Sequence, residues 1–184
     1  MAAYMALHKY GSPHQEPLRD PLMYDTVLTR EGLRKVQHIA PRVAALEPRP
    51  EVVLISPLTR CLQTAVAACE LLVEQTRVPL LAEPLLRERV VLSSEIGRPR
   101  GELRGDFPGL LKPSTGMRSA VQPTRRAQPG PTTQVYEKRL AALRGLLAGR
   151  PERCMLLVAH WGVLQALTGA ELQPGEMASA EVQL

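Results

Sequence analysis

Two runs of four aliphatic residues, Val52–Ile55 and Met155–Val158, constrain the fold of this chain more than any other feature of its sequence. Continuous apolar runs of this length are typical of strands that are buried on both faces of a parallel sheet. Segments with the apolar spacing of helices lie between and around the two runs. Because strands that alternate with helices form layered sheets, we predict an α/β fold, a three-layer α/β/α sandwich with a mostly parallel central sheet.

Shorter patterns predict the remaining elements of this sandwich. Helices are predicted from Arg30 to about Leu46, after Ser56-Pro57 to about Val73, over Gln134–Ala148 and over Gly162–Thr168. Further strands are predicted at Ala2–Leu7, at Val78–Ala82 and, as one antiparallel edge strand, at Ala180–Leu184. Residues 90–131 are rich in Pro, Gly and Arg and have little periodicity. We therefore predict a single domain over residues 1–184, with an insertion at about 90–131.

The composition argues against several classes of function. The net charge is +5, but the basic residues are dispersed and aromatics make up only 3%, which disfavours nucleic-acid binding and favours an anionic substrate. Cys61, Cys69 and Cys154 form no CxxC pair, so we predict core cysteines in a reducing compartment and no metal site. No apolar stretch reaches the roughly 18 residues of a membrane span, and no secretory signal is recognisable. We therefore predict a cytoplasmic protein without a membrane partner.

Polar side chains follow both aliphatic runs. Arg60 lies in the first turn of the helix after Val52–Ile55, and His160 comes two residues after Val158. The carboxyl ends of parallel strands meet at one crevice, where helix N-termini favour an anion. An arginine fork matches the oxygens of a phosphate, and a histidine can donate a hydrogen bond to the same group. We therefore predict that Arg60 and His160 form two walls of a phosphate pocket.

Several motifs around these residues resemble one family. The Ser-Pro-Leu-x-Arg-x-x-Gln-Thr-Ala pattern of residues 56–65 resembles the second signature of the histidine phosphatase (phosphoglycerate-mutase-like) superfamily. Leu156–Leu164 resembles its second histidine segment, Asp25–Gly32 its Asp-x-x-Leu-Thr-x-x-Gly element, and Leu86–Glu88 the segment of its acidic proton donor. Further segments resemble a plant, algal and microbial branch of the family: Ile96–Arg100, Phe107-Pro108 and Arg150–Glu152. The resemblance covers about Asp25 to Leu184.

This resemblance implies an activity and a role for each residue. A histidine of the family attacks phosphorus and becomes phosphorylated, positive groups stabilise the transferring phosphoryl group, and a carboxylic acid protonates the leaving oxygen. Carried onto this sequence, Arg60 and His160 bind the phosphate, His160 also acts in catalysis, and Glu88 is the acid. The implied function is hydrolysis of a small phosphorylated metabolite, without a metal or an organic cofactor. Hydrolysis is favoured over a mutase reaction because dedicated mutases carry longer substrate-enclosing insertions.

The identity of the nucleophile stays open between two alignments. The first signature of the family, Arg-His-Gly or Arg-His-Ala, does not occur in the 184 residues. In one alignment Tyr4–His8 replaces it, which makes His8 the catalytic nucleophile and puts Leu7 in place of a phosphate-binding arginine. In the other, His8-Lys9 matches a later His-Asn pair of the family. The signature would then lie before Met1, beyond an incomplete N-terminus, or have diverged.

Two hypotheses from different classes follow from this gap. The first is an active phosphatase that works through phosphohistidine. The second is a catalytically impaired relative that binds phosphorylated ligands or protein partners, and the missing signature is its chief support. The sequence does not indicate the substrate or the oligomeric state.

Overall fold

The computed structural model describes residues 24–90, 93–108, 110 and 133–182, and the two aliphatic runs are neighbouring strands in it. Strand β1 is Val52–Ile55, β2 is Leu80–Ala82 and β3 is Met155–Val158. Their order in the sheet is β2-β1-β3, and both strand pairs are parallel. All four residues of the central strand β1 are buried, as its continuous apolar run predicts. The residues of β3 are half-buried, because within the described ranges β3 has a strand neighbour on one side only.

Five α-helices accompany the strands in the described ranges. They are α1 (Arg30–Ala44), α2 (Thr59–Thr76), α3 (Arg100–Asp106), α4 (Thr133–Ala148) and α5 (Trp161–Thr168), with 3₁₀ turns at Pro84–Leu86 and Ser93–Glu95. The four helices that the sequence predicts are therefore present, with ends that differ by a few residues. None of the helices in these ranges is long and apolar enough to cross a bilayer.

Alternate residues of β1 face opposite sides of the sheet and enter two separate clusters. Val53 and Ile55 pack with residues of α1 and α2, among them Val36, Val43, Leu62, Ala65 and Leu72. Val52 and Leu54 pack with residues of α4 and α5, among them Leu140, Leu143, Val163 and Leu167. Helices thus cover both faces of the parallel sheet, and the predicted α/β layering is confirmed.

Two local signals set the ends of these helices. The side chain of Thr29 accepts a hydrogen bond from the backbone N–H of Gly32 at 3.0 Å, which caps the N-terminus of α1. α5 ends at Gly169, whose φ of 72° lies in the left-handed region that glycine enters without strain.

The predicted antiparallel edge strand at Ala180–Leu184 is not observed. Residues 180–182 form no strand, and the last two residues of that segment lie outside the described ranges. Ala180 and Glu181 are exposed, so this segment lacks the buried face that holds an edge strand against a core. The predicted first strand, Ala2–Leu7, also lies outside the described part of the chain.

The predicted insertion at about 90–131 contains more regular structure than its sequence indicates. Its described part includes the 3₁₀ turn Ser93–Glu95 and helix α3. Leu103 is the one buried residue of α3, so no repeating apolar spacing marks this helix in the sequence. Residues 111–132 lie outside the described ranges.

Candidate active site

The candidate site lies at the carboxyl ends of β1 and β3, where the parallel register places two loops side by side. Ile55 pairs with Val158, and the backbone N–H of the next residue, Ser56, donates to the carbonyl of Val158 at 2.9 Å. Arg60 lies in the first turn of α2, and His160 immediately precedes α5. The two residues that the sequence singles out are therefore brought together, 100 positions apart in the chain.

A direct contact joins these two side chains. Nη2 of Arg60 lies 3.1 Å from Nδ1 of His160, and Nε2 of His160 lies 2.8 Å from Oγ of Ser56. A guanidinium can only donate, so Nδ1 of His160 is the acceptor in the first contact. The proton of the neutral ring is then on Nε2, which donates it to Ser56. Ser56 thus fixes the tautomer and the orientation of the ring.

The surroundings of His160 keep its ring uncharged. The residue is buried, and burial lowers its pKa well below the ordinary value of 6.5. The positive charges of Arg60 and Arg139 lower this pKa further. A neutral ring beside two cations leaves the positive charge of the pocket unneutralised, which is the electrostatic setting that an anion requires.

Arg60 is buried with only part of its guanidinium engaged. Its Nη1 donates to the carbonyl of Ser94 at 2.8 Å, and its exposed fraction is 4%. Its Nε is buried and has no hydrogen-bond partner among the described residues. No ion pair between described residues includes Arg60. A buried guanidinium without a carboxylate is costly unless a ligand supplies the negative charge.

Glu88 is held beside the start of α5. Its Oε2 accepts a hydrogen bond from the backbone N–H of Gly162 at 3.1 Å, and its Oε1 accepts one from the N–H of Arg89 at 2.8 Å. A Cβ atom at position 162 would lie only 2.8 Å from Oε1 of Glu88, so this close approach depends on glycine. The carboxylate is therefore fixed two residues beyond His160.

A buried carboxylate secures the first turn of α2, which carries Arg60. Asp25 accepts hydrogen bonds from the backbone N–H of Thr59 at 2.8 Å and from the Thr59 hydroxyl at 2.7 Å. It also accepts from the N–H of Arg98 at 3.2 Å and forms an ion pair with the Arg98 side chain at 3.4 Å. Asp25 thus caps α2 and ties the segment around Arg98 to it. The sequence gave these residues only through the family motifs, which assign them no contact.

Two residues of α4 face Glu88 and were not singled out by the sequence. Oη of Tyr136 would lie 3.3 Å from the same Cβ position on Gly162 that Glu88 approaches. The guanidinium carbon of Arg139 lies 5.2 Å from the centre of the Tyr136 ring. Their spacing of three residues, which brings side chains to one helix face, was a signal available in the sequence.

Cys61 fills the space beneath His160. Its Sγ lies 3.5 Å from Nε2 of His160, and burial raises its pKa to about 12. The thiol is therefore protonated at neutral pH and acts as a small packing group. Cys69 is buried as predicted, whereas Cys154 is only half-buried and its thiol donates to the carbonyl of Pro48. The prediction of a core position for Cys154 is wrong because it lies at the exposed start of β3.

The remaining sequence predictions on the site fall beyond the part of the chain that the structure describes. His8, the predicted nucleophile, lies among residues 1–23. Its position relative to Arg60 and His160 is therefore not given. Among the described residues, no three His, Cys, Asp or Glu side chains are grouped as a metal site.

The neutral state of His160 predicts how stability depends on pH. The unfolded chain takes up a proton at this ring near its ordinary pKa of 6.5, and the folded chain does not. The free energy of unfolding should therefore fall as the pH falls below about 6.5, by up to about 1.4 kcal/mol per pH unit from this group. Urea unfolding between about pH 5 and 8 should show a shallower dependence in His160→Gln than in the wild type. The matched control, His38→Gln on the exposed face of α1, should keep the wild-type slope; equal slopes in all three proteins would contradict a neutral His160.

The comparisons with known proteins agree with this geometry. A search of curated protein sequences found no match. Ecdysone phosphate phosphatase of Bombyx mori, solved with tungstate, is similar over 87% of this chain and 65% of its own length, with 19% identity and a TM-score of 0.50. A mycobacterial glucosyl-3-phosphoglycerate phosphatase is similar over 86% of this chain and 73% of its own, with 24% identity and a TM-score of 0.46.

The chain thus spans less than two-thirds of the Bombyx mori protein, and that structure shows a shared fold. The model of the histidine phosphatase superfamily, branch 1, matches residues 23–182, which is most of the sequence. It includes both strand ends that carry Arg60 and His160. This chain therefore belongs to branch 1 of the histidine phosphatase superfamily.

Proposed function

We propose that this protein is a phosphomonoester hydrolase that acts on a small phosphorylated metabolite through a phosphohistidine intermediate. The observation that carries the proposal is the buried contact between Arg60 and His160 at the carboxyl ends of two parallel strands. Membership of the histidine phosphatase superfamily supports phosphatase chemistry at this position. The substrate and the intermediate are the parts that the experiments below test.

Phosphate binding falls to Arg60 and His160 in this proposal. Both lie at or just before the first turn of a helix, where free backbone N–H groups favour an anion. The Arg60 guanidinium, with Nε unengaged among the described residues, supplies the donors that match phosphate oxygens. On binding, Arg60 exchanges its contact with a neutral imidazole for contacts with an anion. Stabilisation of the transferring phosphoryl group by such fixed donors is the largest catalytic contribution expected at this site.

The proposed reaction has two displacements. First, a histidine nitrogen attacks phosphorus, the bond from phosphorus to the ester oxygen breaks, and the carboxyl of Glu88 gives its proton to the departing alcohol. Then a water molecule, which loses a proton to Glu88, attacks the phosphohistidine. The nitrogen–phosphorus bond breaks and inorganic phosphate leaves. His8 is the proposed nucleophile within this sequence.

Glu88 is suited to the proton transfer because its position is fixed. The N–H of Gly162 holds one oxygen of its carboxylate two residues from His160, so the acid lies beside the phosphate ligands. A proton donor matters most when the leaving oxygen is strongly basic, as in an alkyl ester. It matters little for a nitrophenolate, which departs without protonation.

The proposed role of Glu88 predicts an effect that depends on the leaving group. In Glu88→Gln, kcat for an alkyl phosphate should fall by about 100-fold or more, and kcat for p-nitrophenyl phosphate should fall much less. Steady-state rates on the two esters give this ratio directly. The matched control is Glu70→Gln on the exposed face of α2, which should leave both rates unchanged. Equal losses on both esters would count against proton donation by Glu88.

The proposed nucleophile makes a covalent prediction. Brief incubation with a ³²P-labelled phosphomonoester should give an acid-labile, base-stable phosphoenzyme, and His8→Ala should abolish it and lower turnover by several orders of magnitude. His14→Ala, a nearby histidine of the same segment, is the control and should retain the label.

The outcomes of that experiment separate the two hypotheses. Labelling that persists in His8→Ala would show that His8 is not the nucleophile, while leaving a phosphatase in place. A protein that neither turns over nor becomes labelled would contradict the proposed activity. It would favour the impaired phosphate-binding relative, for which the absence of an Arg-His-Gly signature from the 184 residues is the supporting observation.

A further inference from the structure

Unpartnered polar atoms gather at the candidate site. Among the described residues, four buried side-chain nitrogen or oxygen atoms have no hydrogen-bond partner: Thr26 Oγ1, Arg60 Nε, Tyr136 Oη and Arg139 Nε. Three of these four belong to residues that surround Glu88 and His160. Buried polar groups in native proteins are nearly always satisfied, so a cluster of exceptions indicates a missing ligand. Arg60 belongs to the proposed phosphate pocket, which leaves Tyr136 and Arg139 unexplained.

Tyr136 and Arg139 lie on the side of Glu88 where a leaving group would be. Glu88 and the Tyr136 hydroxyl both approach Gly162, within 3.5 Å of the position that a Cβ would take there. Arg139 stacks on the ring of Tyr136 at 5.2 Å, and its charge also acts on Glu88 and His160. A group bound between them would therefore be attached to the oxygen that Glu88 protonates.

The charges in this place are out of balance. Arg87, Arg89 and Arg139 surround the single carboxylate of Glu88, and no ion pair between described residues includes any of the three. Burial lowers the pKa of Arg139, and the like charge of Arg87 lowers it further. Burial also lowers the pKa of Arg87. Cations that are partly desolvated beside one another gain most from an anion.

We propose that Tyr136 and Arg139 form a second anion subsite, which binds an acidic group on the leaving-group part of the substrate. This inference rests on the proposed function, since it places the subsite next to the phosphate pocket. The substrate class is then a phosphorylated acid, with a carboxylate or a second phosphate, rather than a phosphorylated neutral alcohol or sugar. A guanidinium has donors only, and with the tyrosine hydroxyl it matches acceptor oxygens of an acid.

Binding of a matched pair of esters tests this subsite without requiring turnover. 3-Phosphoglycerate and glycerol 3-phosphate differ only by a carboxylate in place of a hydroxymethyl group, and 1,3-propanediol bisphosphate offers a second phosphate instead. Calorimetry on the full chain should show that at least one acid binds about tenfold or more tightly than glycerol 3-phosphate. Arg139→Gln and the conservative Tyr136→Phe should each reduce this preference toward one. Whether the carboxylate or the second phosphate binds better identifies the acid.

Two further variants make the result specific. Arg60→Gln should weaken all three esters by a similar factor, because it removes a contact to their common phosphate. Lys138→Gln, the loss of an exposed cation next to Arg139, should leave the preference unchanged. Equal binding of acids and alcohol by the wild type, or an equal loss for all three esters in Arg139→Gln, would overturn the second subsite while leaving the phosphate pocket. Failure of all three esters to bind would overturn both the subsite and the proposed function.

Discussion

The contact between the Arg60 guanidinium and the His160 ring joins the two strand ends on which the candidate site depends. It brings a buried cation against a ring whose pKa burial and neighbouring charge hold low, so the pair carries a single positive charge. Such a pair gains little electrostatic energy from itself, and its charge is not neutralised by any described ion pair. Its position at the parallel edge of the sheet makes an anion the natural complement.

The rest of the structure holds this pair in place. Ser56 orients the histidine ring, and Asp25 caps the helix turn that carries Arg60. On the other side, Gly162 lets Glu88 approach the start of α5 more closely than any other residue would allow. Because these supports come from buried or backbone groups, the site is organised before a ligand arrives, which is what electrostatic stabilisation of a transferring group requires.

Part of this arrangement could be read from the sequence, and the reasons for the remainder are physical. Aliphatic runs predict buried strands, and the parallel register follows from the helices between them, so the meeting of Arg60 and His160 was predictable. Tyr136 was not, because its place opposite Glu88 depends on how α4 packs on the sheet. The edge strand at Ala180–Leu184 was predicted from local composition alone, and its exposed start shows that burial decides. The position of His8 and the single-domain organisation stay predictions.

The most direct measurement of the central claim is the affinity of the pocket for orthovanadate, a phosphate analogue, in variants that keep the charge of Arg60. In Arg60→Lys the positive charge remains, but the planar fork of donors is lost. Calorimetric titration should show binding to the wild type and a loss of affinity of about tenfold or more in Arg60→Lys. The exposed Arg42→Lys should bind like the wild type. Equal affinity in Arg60→Lys and the wild type would contradict a phosphate pocket built on Arg60 and His160.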